Sequence, residues 1–320
     1  MLRDAARRAG AGRLLYHLWH APRATFRKSH SEGVFNLLLA RLGRAEMERA
    51  AERLNPLPPA PADAHEIYYL TGHRFAYQTA FCAVSLGLRA GKSMRVVVVN
   101  DGTLTEAKSN LLRRLLPGLR VILQAEVMDS LEARLPVRRY PELRRRRLVY
   151  PHLRKLTDVH AAGEGWKLVL DSDMLFHKKP DLLLDWLTAP DKPFHMLDIA
   201  DAYGYSTRLL EELTGRELPP RVNVGLCGLK SEAIDWEKIE YWCKQMISRE
   251  GPKYYMEQAL VAMLMADGER TFAPVLSYIV APSREEALRP SAVLHHYTAE
   301  SKAWYFRFAW RHVFAESMGG

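Results

Sequence analysis

Short apolar runs that alternate with helical stretches constrain the fold of this chain more than any other feature. The runs have the apolar and β-branched character of strands, and helical spacing of apolar residues separates most of them. This rhythm is typical of βαβ units, so we predict an α/β fold with a mainly parallel sheet covered by helices. The runs are IYYLTG from residue 67, RVVVVN from 95, RVILQ from 120, KLVLDSD from 167, FHMLDIA from 194, VNVGLCGL from 222 and VLHHY from 293.

A proline-rich segment, NPLPPAPADA at residues 55–64, marks the clearest boundary. Prolines lack the amide donor of a helix or a central strand, so residues 55–65 are predicted to be an extended linker. Residues 1–54 are predicted to be a helical extension, and residues 66–320 the α/β domain. We expect the apolar face of the extension to pack on the domain rather than on lipid. Its apolar residues include Leu14, Leu15, Leu18, Trp19, Phe35, Leu37, Leu38 and Leu39, with Arg7, Arg8 and Arg13 nearby.

Composition limits the compartment and the partners. The chain has 320 residues and a hydrophobic content of 48%, enough for a large core. Cys82, Cys227 and Cys243 form no CxxC pair, which argues against a disulfide framework or a zinc site. Without a long apolar run or a signal-peptide pattern, the expected location is cytoplasmic, with possible peripheral contact on the inner face of the membrane through the N-terminal helices. The net charge of +9 favours anionic partners.

A basic run, RRYPELRRRR at residues 138–147, adds to that charge. A solvated helix face is the default interpretation of such a run. No aromatic-interleaved motif for RNA or DNA accompanies it, so we expect no nucleic-acid partner. Part of the run is instead predicted to contact an anionic acceptor or a diphosphate.

Two carboxylates follow the apolar strand predicted at residues 167–170. Asp171 and Asp173 lie one residue apart, and side chains at i and i+2 of an extended segment point the same way. Ligands collect at the carboxyl ends of strands in open α/β sheets, and adjacent carboxylates repel unless a cation or proton lies between them. A divalent ion bound to a phosphate would satisfy both. The alternative is a loop whose aspartates cap the helix that begins near Pro180.

From residue 66 to about 305 the chain resembles a distant member of the family 8 glycosyltransferases, the glycogenin-like retaining enzymes of GT-A fold. LVLDSDMLF is similar to the strand that ends in that family's metal-binding DxD. Five further stretches match in the same order, with Arg147 where a lysine is usual and Glu257 where an aspartate is usual. They are YLTGHRFAYQTAFCAVSL, RRLVYPHLRKL, VNVGLCGL, YMEQALVAML and LHHYTAESKAWYF.

The resemblance implies a metal-dependent transfer of a sugar from a nucleotide-sugar, with UDP as the nucleotide, to an acceptor that the sequence does not identify. It implies that Asp171, Asp173 and His296 hold Mn²⁺ or Mg²⁺ on the diphosphate. Asn223, Glu257 and Gln258 take the catalytic positions. The donor-binding positions are Thr71 and Phe75 at the base, and Arg147, Asp171, Asp173, Gly225 and Lys302 at the diphosphate and sugar.

The choice of His296 over His295 as the third ligand follows from strand geometry and spacing. Adjacent residues of a strand face opposite sides, so one histidine at most points at the aspartates. The family places an aromatic, a lysine and a tryptophan after its ligand histidine. Counting from His296 finds Tyr297, Lys302 and Trp304 at those positions.

Two other classes of protein remain open at this stage. A haloacid dehalogenase-type phosphatase also places a DxD at a strand end, although Leu175 stands here where that motif normally has threonine or valine. The third possibility is a non-catalytic protein that binds nucleotide-sugars or anionic polymers through the same surface. Hydrolysis of an aryl phosphate would distinguish the phosphatase from a glycosyltransferase. Hydrolysis or transfer of the donor sugar would distinguish a glycosyltransferase from the non-catalytic binding protein.

Overall fold

The computed structural model describes residues 34–90 and 94–319. The strands are β1 His65–Thr71, β2 Met94–Asn100, β3 Arg120–Ile122, β4 Trp166–Leu170, β5 Met174–Phe176, β6 Phe194–Leu197, β7 Val222–Lys230, β8 Thr271–Ala273, β9 Tyr278–Val280 and β10 Leu294–His296. The helices are α1 Val34–Ala51, α2 Ala76–Ala90, α3 Glu106–Leu115, α4 Gln124–Arg134, α5 Pro141–Val149, α6 Arg154–Ala161, α7 Asp181–Thr188, α8 Thr207–Thr214, α9 Trp236–Glu250, α10 Met256–Leu264, α11 Arg284–Leu288, α12 Ser301–Trp304 and α13 Trp310–Gly319. A π-helical turn, Tyr305–Ala309, joins the last two helices.

A central sheet of seven strands has the order β3-β2-β1-β4-β7-β6-β8. The pairs β3–β2, β2–β1, β1–β4 and β6–β8 are parallel, whereas β7 runs antiparallel to both β4 and β6. The predicted α/β class with a mainly parallel sheet is therefore confirmed. Each of the seven predicted apolar runs contains a strand. The sequence did not predict β5, β8 and β9, which have three residues each and are too short for a period-2 pattern to stand out.

Apolar side chains cover both faces of the central sheet. Along β1, Ile67 and Tyr69 belong to one core cluster, while Tyr68 between them belongs to a second cluster. The alternation follows from the pleat, which sends successive side chains to opposite faces. Residues of α2 and α13 lie in the first cluster, and residues of α9 and α10 in the second. Burial on both faces explains why the strands read as continuous apolar runs.

A small sheet, β5-β10-β9, lies beside the end of the central sheet and determines where the histidines point. Strand β10 pairs antiparallel with β5, so that His296 lies opposite Met174. The amide of Tyr297 then donates to the carbonyl oxygen of Asp173 over 2.9 Å. Because β5 directly follows the aspartates, this pairing brings the C-terminal histidines to the end of β4.

Helix α1 packs against the C-terminal helices. Met47 and Ala51 are fully buried in the first core cluster, and Arg311 forms an ion pair with Glu46 over 2.6 Å. The α carbon of Gly43 lies so close to the backbone of Phe306 that an added β carbon would be 2.0 Å from its carbonyl oxygen. Leu38, which we expected to pack on the domain, is instead 52% exposed. The packing of α1 therefore depends on its C-terminal half.

The segment predicted to be a linker contains no helix or strand before His65, and it is attached to the domain. The side-chain amide of Asn55 donates to the carbonyl oxygen of Ser317, and the amide of Leu57 donates to that of Leu115. The predicted apolar and basic residues at positions 7–19 lie outside the described residues. Within the described part of the chain, no helix combines the length and the apolar character needed to cross a bilayer.

Candidate metal and donor site

Three potential metal ligands converge where β4 ends and β10 runs alongside. Nε2 of His296 lies 3.4 Å from a carboxylate oxygen of Asp173 and 3.7 Å from one of Asp171. Ligand atoms of all three side chains lie within 4.8 Å of one another. Two carboxylates and one imidazole form a donor set that suits Mn²⁺ or Mg²⁺. The predicted trio of Asp171, Asp173 and His296 is thus brought together, and it is called the metal cluster below.

Asn223 orients the imidazole of His296. The amide of Gly225 donates to Oδ1 of Asn223 over 2.9 Å, which identifies that atom as the oxygen. Nδ1 of His296 lies 3.1 Å from the same oxygen and must therefore donate to it. In the neutral ring, Nε2 then presents its lone pair to the two aspartates. Three acceptors facing one another are unfavourable unless a cation lies between them.

Gly225 provides the space in which the imidazole lies. A β carbon at this position would be 2.3 Å from Cε1 of His296 and 2.6 Å from Nδ1, well inside van der Waals contact. The carbonyl oxygen of Gly225 also accepts from the amide of Asp171 over 2.7 Å. The resemblance placed Asn223 and Gly225 at the catalytic and donor positions, and the structure places both in contact with the metal cluster.

Lys155 lies beneath Asp171 and was not predicted. Its Nζ is 2.8 Å from Asp171 and 3.4 Å from Glu257. Burial alone would lower the pKa of Lys155, but Asp171 and Glu257 outweigh it and raise that pKa above its usual range. Burial raises the pKa of Glu257 to about 7, although Lys155 acts in the opposite direction. The lysine therefore fixes Asp171 in place and connects it to Glu257.

Lys302 balances the second aspartate. Its Nζ is 3.0 Å from Asp173, and its side chain is 42% exposed. Burial would raise the pKa of Asp173, but contacts led by the positive charge of Lys302 outweigh it and hold that pKa below the usual range of an aspartate. Lys302 is thus held at the rim of the metal cluster by a carboxylate, with part of its side chain open to solvent.

His295 faces away from the metal cluster, as strand geometry predicts. Its Nε2 lies 2.8 Å from Glu286, and its Nδ1 lies 3.0 Å from the hydroxyl of Tyr297. The side chain is fully buried. His295 therefore belongs to a polar network behind β10, whereas His296 belongs to the metal cluster.

Gln258 is linked to the metal cluster indirectly, first through Asp198 and then through Asn223, which contacts His296. Its Nε2 donates to the carbonyl oxygen of Ala202 over 2.9 Å and lies 3.3 Å from Oδ2 of Asp198. The same carboxylate oxygen accepts from Nδ2 of Asn223 over 2.9 Å. Asp198 was not singled out from the sequence. Its position at the end of the predicted strand FHMLDIA is the one signal that could have suggested it.

Arg147 is not brought to the metal cluster. Both sides of its guanidinium group pair with Asp158 over 2.6 Å, and the side chain is 3% exposed. Its neighbours in the basic run also have partners, because Arg139 pairs with Glu237 and Arg145 with Glu142. Lys155, eight residues after Arg147, is the cation that reaches Asp171. The basic run therefore contributes mainly to ion pairs within the domain.

Thr71 and Phe75, the positions predicted at the base, lie at the end of β1. Thr71 is buried, and its hydroxyl accepts from Thr79 over 2.9 Å. Phe75 is 41% exposed, with the guanidinium of Arg74 5.6 Å from its ring centroid. The ring of Phe75 is therefore open to a ligand, whereas the side chain of Thr71 packs on α2.

We predict that Gly225→Ala weakens binding of Mn²⁺ at least about 10-fold, because the added methyl group displaces the imidazole of His296. Gly228→Ala is the matched control on the same strand, since its methyl group meets only the ring of Trp186. Both variants are expected to lose stability. Circular dichroism first shows that both variants are folded, and calorimetric titration then measures their affinity for Mn²⁺. Equal affinities in the two variants would contradict the prediction.

Comparisons with known proteins find similarity in structure and not in sequence. No protein-family model and no curated protein sequence matches the chain. The galactosyltransferase LgtC, solved with donor and acceptor sugar analogues, gives a TM-score of 0.51 at 16% identity, over 79% of this chain and 95% of LgtC. The apo structure of the bifunctional glycosyltransferase WbbM gives 0.52 at 13% identity, over 81% of this chain. The chain covers 51% of WbbM.

These similarities define the fold class. The chain has the GT-A fold of these glycosyltransferases, with the same kind of sheet covered by helices. The predicted GT-A fold is therefore confirmed, and the resemblance to family 8 is supported at the level of the fold.

Proposed function

We propose that this protein is a metal-dependent glycosyltransferase that moves a sugar from a nucleotide-sugar, with UDP as the nucleotide, to an acceptor. One observation carries the proposal: Asp171, Asp173 and the lone-pair side of His296 converge at the carboxyl end of β4. Retention of configuration rests on the resemblance to family 8. The GT-A fold of LgtC and WbbM supports the same class of activity by analogy.

The ligands of the metal cluster fit Mn²⁺ or Mg²⁺. Two oxygen donors and one nitrogen donor leave positions for phosphate oxygens. When bound, the ion would stabilise the negative charge that builds on the leaving diphosphate. Asp171 and Asp173 would hold the ion, while Asn223 keeps Nε2 of His296 directed at it.

Two lysines support this site in different ways. Lys302 would donate a charge-assisted hydrogen bond to the diphosphate, a contribution on the order of 1.5–3 kcal/mol. It already lies at the rim, 3.0 Å from Asp173. Lys155 is buried, and its role is to fix the positions of the carboxylates of Asp171 and Glu257 by pairing with both. The diphosphate contact that the resemblance implied for Arg147 is left out of the proposal, because that arginine pairs with Asp158.

Glu257 and Gln258 are proposed to act on the donor sugar. Both side chains are buried at the start of α10, and Glu257 connects to Asp171 through Lys155. Gln258 and Asn223 share Asp198 as a hydrogen-bond partner. The ring of Phe75 would stack on the base. Each role is a proposal that substitution of that residue can test.

The function is tested with a panel of nucleotide-sugars in Mn²⁺. We expect hydrolysis or transfer of at least one UDP-sugar, and loss of that activity in excess chelator. Release of phosphate from an aryl phosphate, with no turnover of any nucleotide-sugar, would favour the phosphatase. Tight binding of a nucleotide-sugar without turnover, in the presence of a broad set of acceptors, would favour a non-catalytic binding protein.

His296→Ala and His295→Ala form a matched pair of variants on one strand. We predict that His296→Ala weakens Mn²⁺-dependent donor binding and nearly abolishes transfer, since a ligand of the metal cluster is lost. His295→Ala is expected to cost mainly stability, because it leaves Glu286 without its histidine partner. Calorimetry and thermal unfolding on both variants check this. The reverse ranking, with both variants folded, would overturn the assignment of His296.

A further inference from the structure

Exposed apolar and aromatic side chains lie in the two segments that precede Lys155 and Glu257. Leu148 is 67% exposed, Val149 63%, Tyr254 64% and Tyr255 43%. His152, also exposed, lies between the aliphatic and the tyrosine parts. Solvent-facing patches that combine large aliphatic and aromatic residues commonly mark binding surfaces. These five residues are called the acceptor strip below.

Ring contacts join the aromatic members of the strip, and a hydrogen bond connects the two segments that carry it. The hydroxyl of Tyr150 donates to the carbonyl oxygen of Tyr254, which ties the end of α5 to the segment before α10. The rings of His152 and Tyr254 have centroids 5.1 Å apart, and those of Tyr254 and Tyr255 are 5.0 Å apart. Val149 precedes His152 by three residues, so their α carbons lie within about 11 Å. The aliphatic part therefore lies beside the aromatic part.

The aromatic part lies close to Lys155 and Glu257, the buried pair beside the metal cluster. His152 lies three residues before Lys155, and Tyr254 lies three residues before Glu257, so the α carbons of each pair lie within about 11 Å. Desolvation, followed by the charge of Lys155, lowers the pKa of His152, while Asp171 acts in the opposite direction. Desolvation raises the pKa of Tyr254, with smaller effects of Lys302 and Asp171. Tyr255 precedes Met256, the first residue of α10, which also carries Glu257. A ligand on these rings would therefore lie next to the site proposed for the donor.

The two parts of the strip suit different halves of one molecule. Exposed tyrosine and neutral histidine rings offer apolar faces with polar edges, which match a sugar ring that has apolar C–H faces and hydroxyl groups at its rim. Leu148 and Val149 offer no hydrogen bonds, so they suit only an apolar group. A ligand that spans both parts is amphiphilic.

We propose that the acceptor strip binds an acceptor glycan carried on an apolar aglycone, with the sugar on Tyr254 and His152 and the aglycone over Val149 and Leu148. This inference rests on the proposed function and names the acceptor class for the same site. The sugar is assigned to the aromatic part because His152 and Tyr254 lie three residues before Lys155 and Glu257, respectively.

The inference is tested with pairs of octyl and methyl glycosides, each below its micelle concentration, titrated into the protein with Mn²⁺ and UDP. We expect at least one octyl glycoside to bind about 30-fold more tightly than its methyl counterpart, from partial burial of the chain. In L148S/V149S this preference is expected to fall below about 3-fold, with the methyl glycoside unaffected. Tyr254→Ala is expected to weaken both ligands.

Leu276→Ser is the matched control, because Leu276 is 85% exposed and lies between β8 and β9. It should leave the octyl preference unchanged. Equal binding of octyl and methyl glycosides, or no binding of either, overturns the inference when Mn²⁺-dependent UDP binding is intact. Loss of that UDP binding instead counts against the proposed function. Binding to phosphatidylcholine vesicles that requires Leu148 and Val149, without a preference for octyl glycosides, would reassign the strip to a bilayer and also overturn the inference.

Discussion

Replacing Asp173 with asparagine is expected to weaken Mn²⁺-dependent binding of UDP by roughly 100-fold or more. An amide oxygen is a poorer ligand than a carboxylate, and even loss of a supporting residue around a metal typically costs 10–100-fold. The change also frees Lys302 from its partner at 3.0 Å, and the added positive charge at the rim is expected to offset only part of this loss. Calorimetric titration of UDP in Mn²⁺ measures the loss.

Asp181→Asn is the matched control for this substitution. Asp181 also pairs with a lysine, Lys179, but both side chains are about two-thirds exposed at the start of α7. Exposed ion pairs contribute little, so we expect no change in UDP affinity. If Asp173→Asn, shown to be folded, bound UDP in Mn²⁺ as tightly as Asp181→Asn, the metal cluster would not be the site of the diphosphate.

Replacing Lys155 with methionine is expected to lower the free energy of unfolding by about 3 kcal/mol or more. The lysine is 8% exposed and lies between Asp171 and Glu257. Removing one partner of a buried ion pair leaves an uncompensated charge and typically costs about 3–5 kcal/mol. Denaturant unfolding of the metal-free protein measures this effect.

Glu257→Gln, alone and combined with Lys155→Met, shows how much of the stability lost with Lys155 comes from its charge and how much from its packing. Burial raises the pKa of Glu257 to about 7, so at neutral pH the carboxyl is already about half protonated. Glu257→Gln alone is therefore expected to cost less than about 1 kcal/mol. The double variant with Lys155→Met should recover part of the unfolding free energy lost in Lys155→Met, because only Asp171 is then left without its lysine partner. A loss below about 1 kcal/mol for Lys155→Met alone would contradict this account of the buried lysine.

Features that depend only on a short stretch of neighbouring residues were predictable from the sequence. The run KLVLDSD identified β4 and the carboxylates at its end, because a buried strand followed by charge is visible in a single segment. The choice of His296 over His295 followed from the alternation of a strand. Both inferences need only local geometry and the direction of the chain.

Contacts between distant segments were not predictable in the same way. Lys155 reaches Asp171 because α6 packs beside β1 and β4. Nothing in RKLTDVH distinguishes a buried lysine from an exposed one. Arg147 shows the reverse error. Its partner Asp158 lies 11 residues away on another helix, so the arginine that seemed free to meet a phosphate was already paired.

The most direct test of the central claim is the affinity for UDP measured by calorimetry in Mn²⁺ and again in excess chelator. In the proposed site, the diphosphate would bind to a cation held by Asp171, Asp173 and His296. Without one, the phosphates would face the lone pair of an imidazole and two carboxylates, whose lysine partners only partly offset their repulsion of a diphosphate. We predict clear binding in Mn²⁺ and binding weaker by about 100-fold or more in chelator, whereas equal affinity in the two conditions would contradict the account.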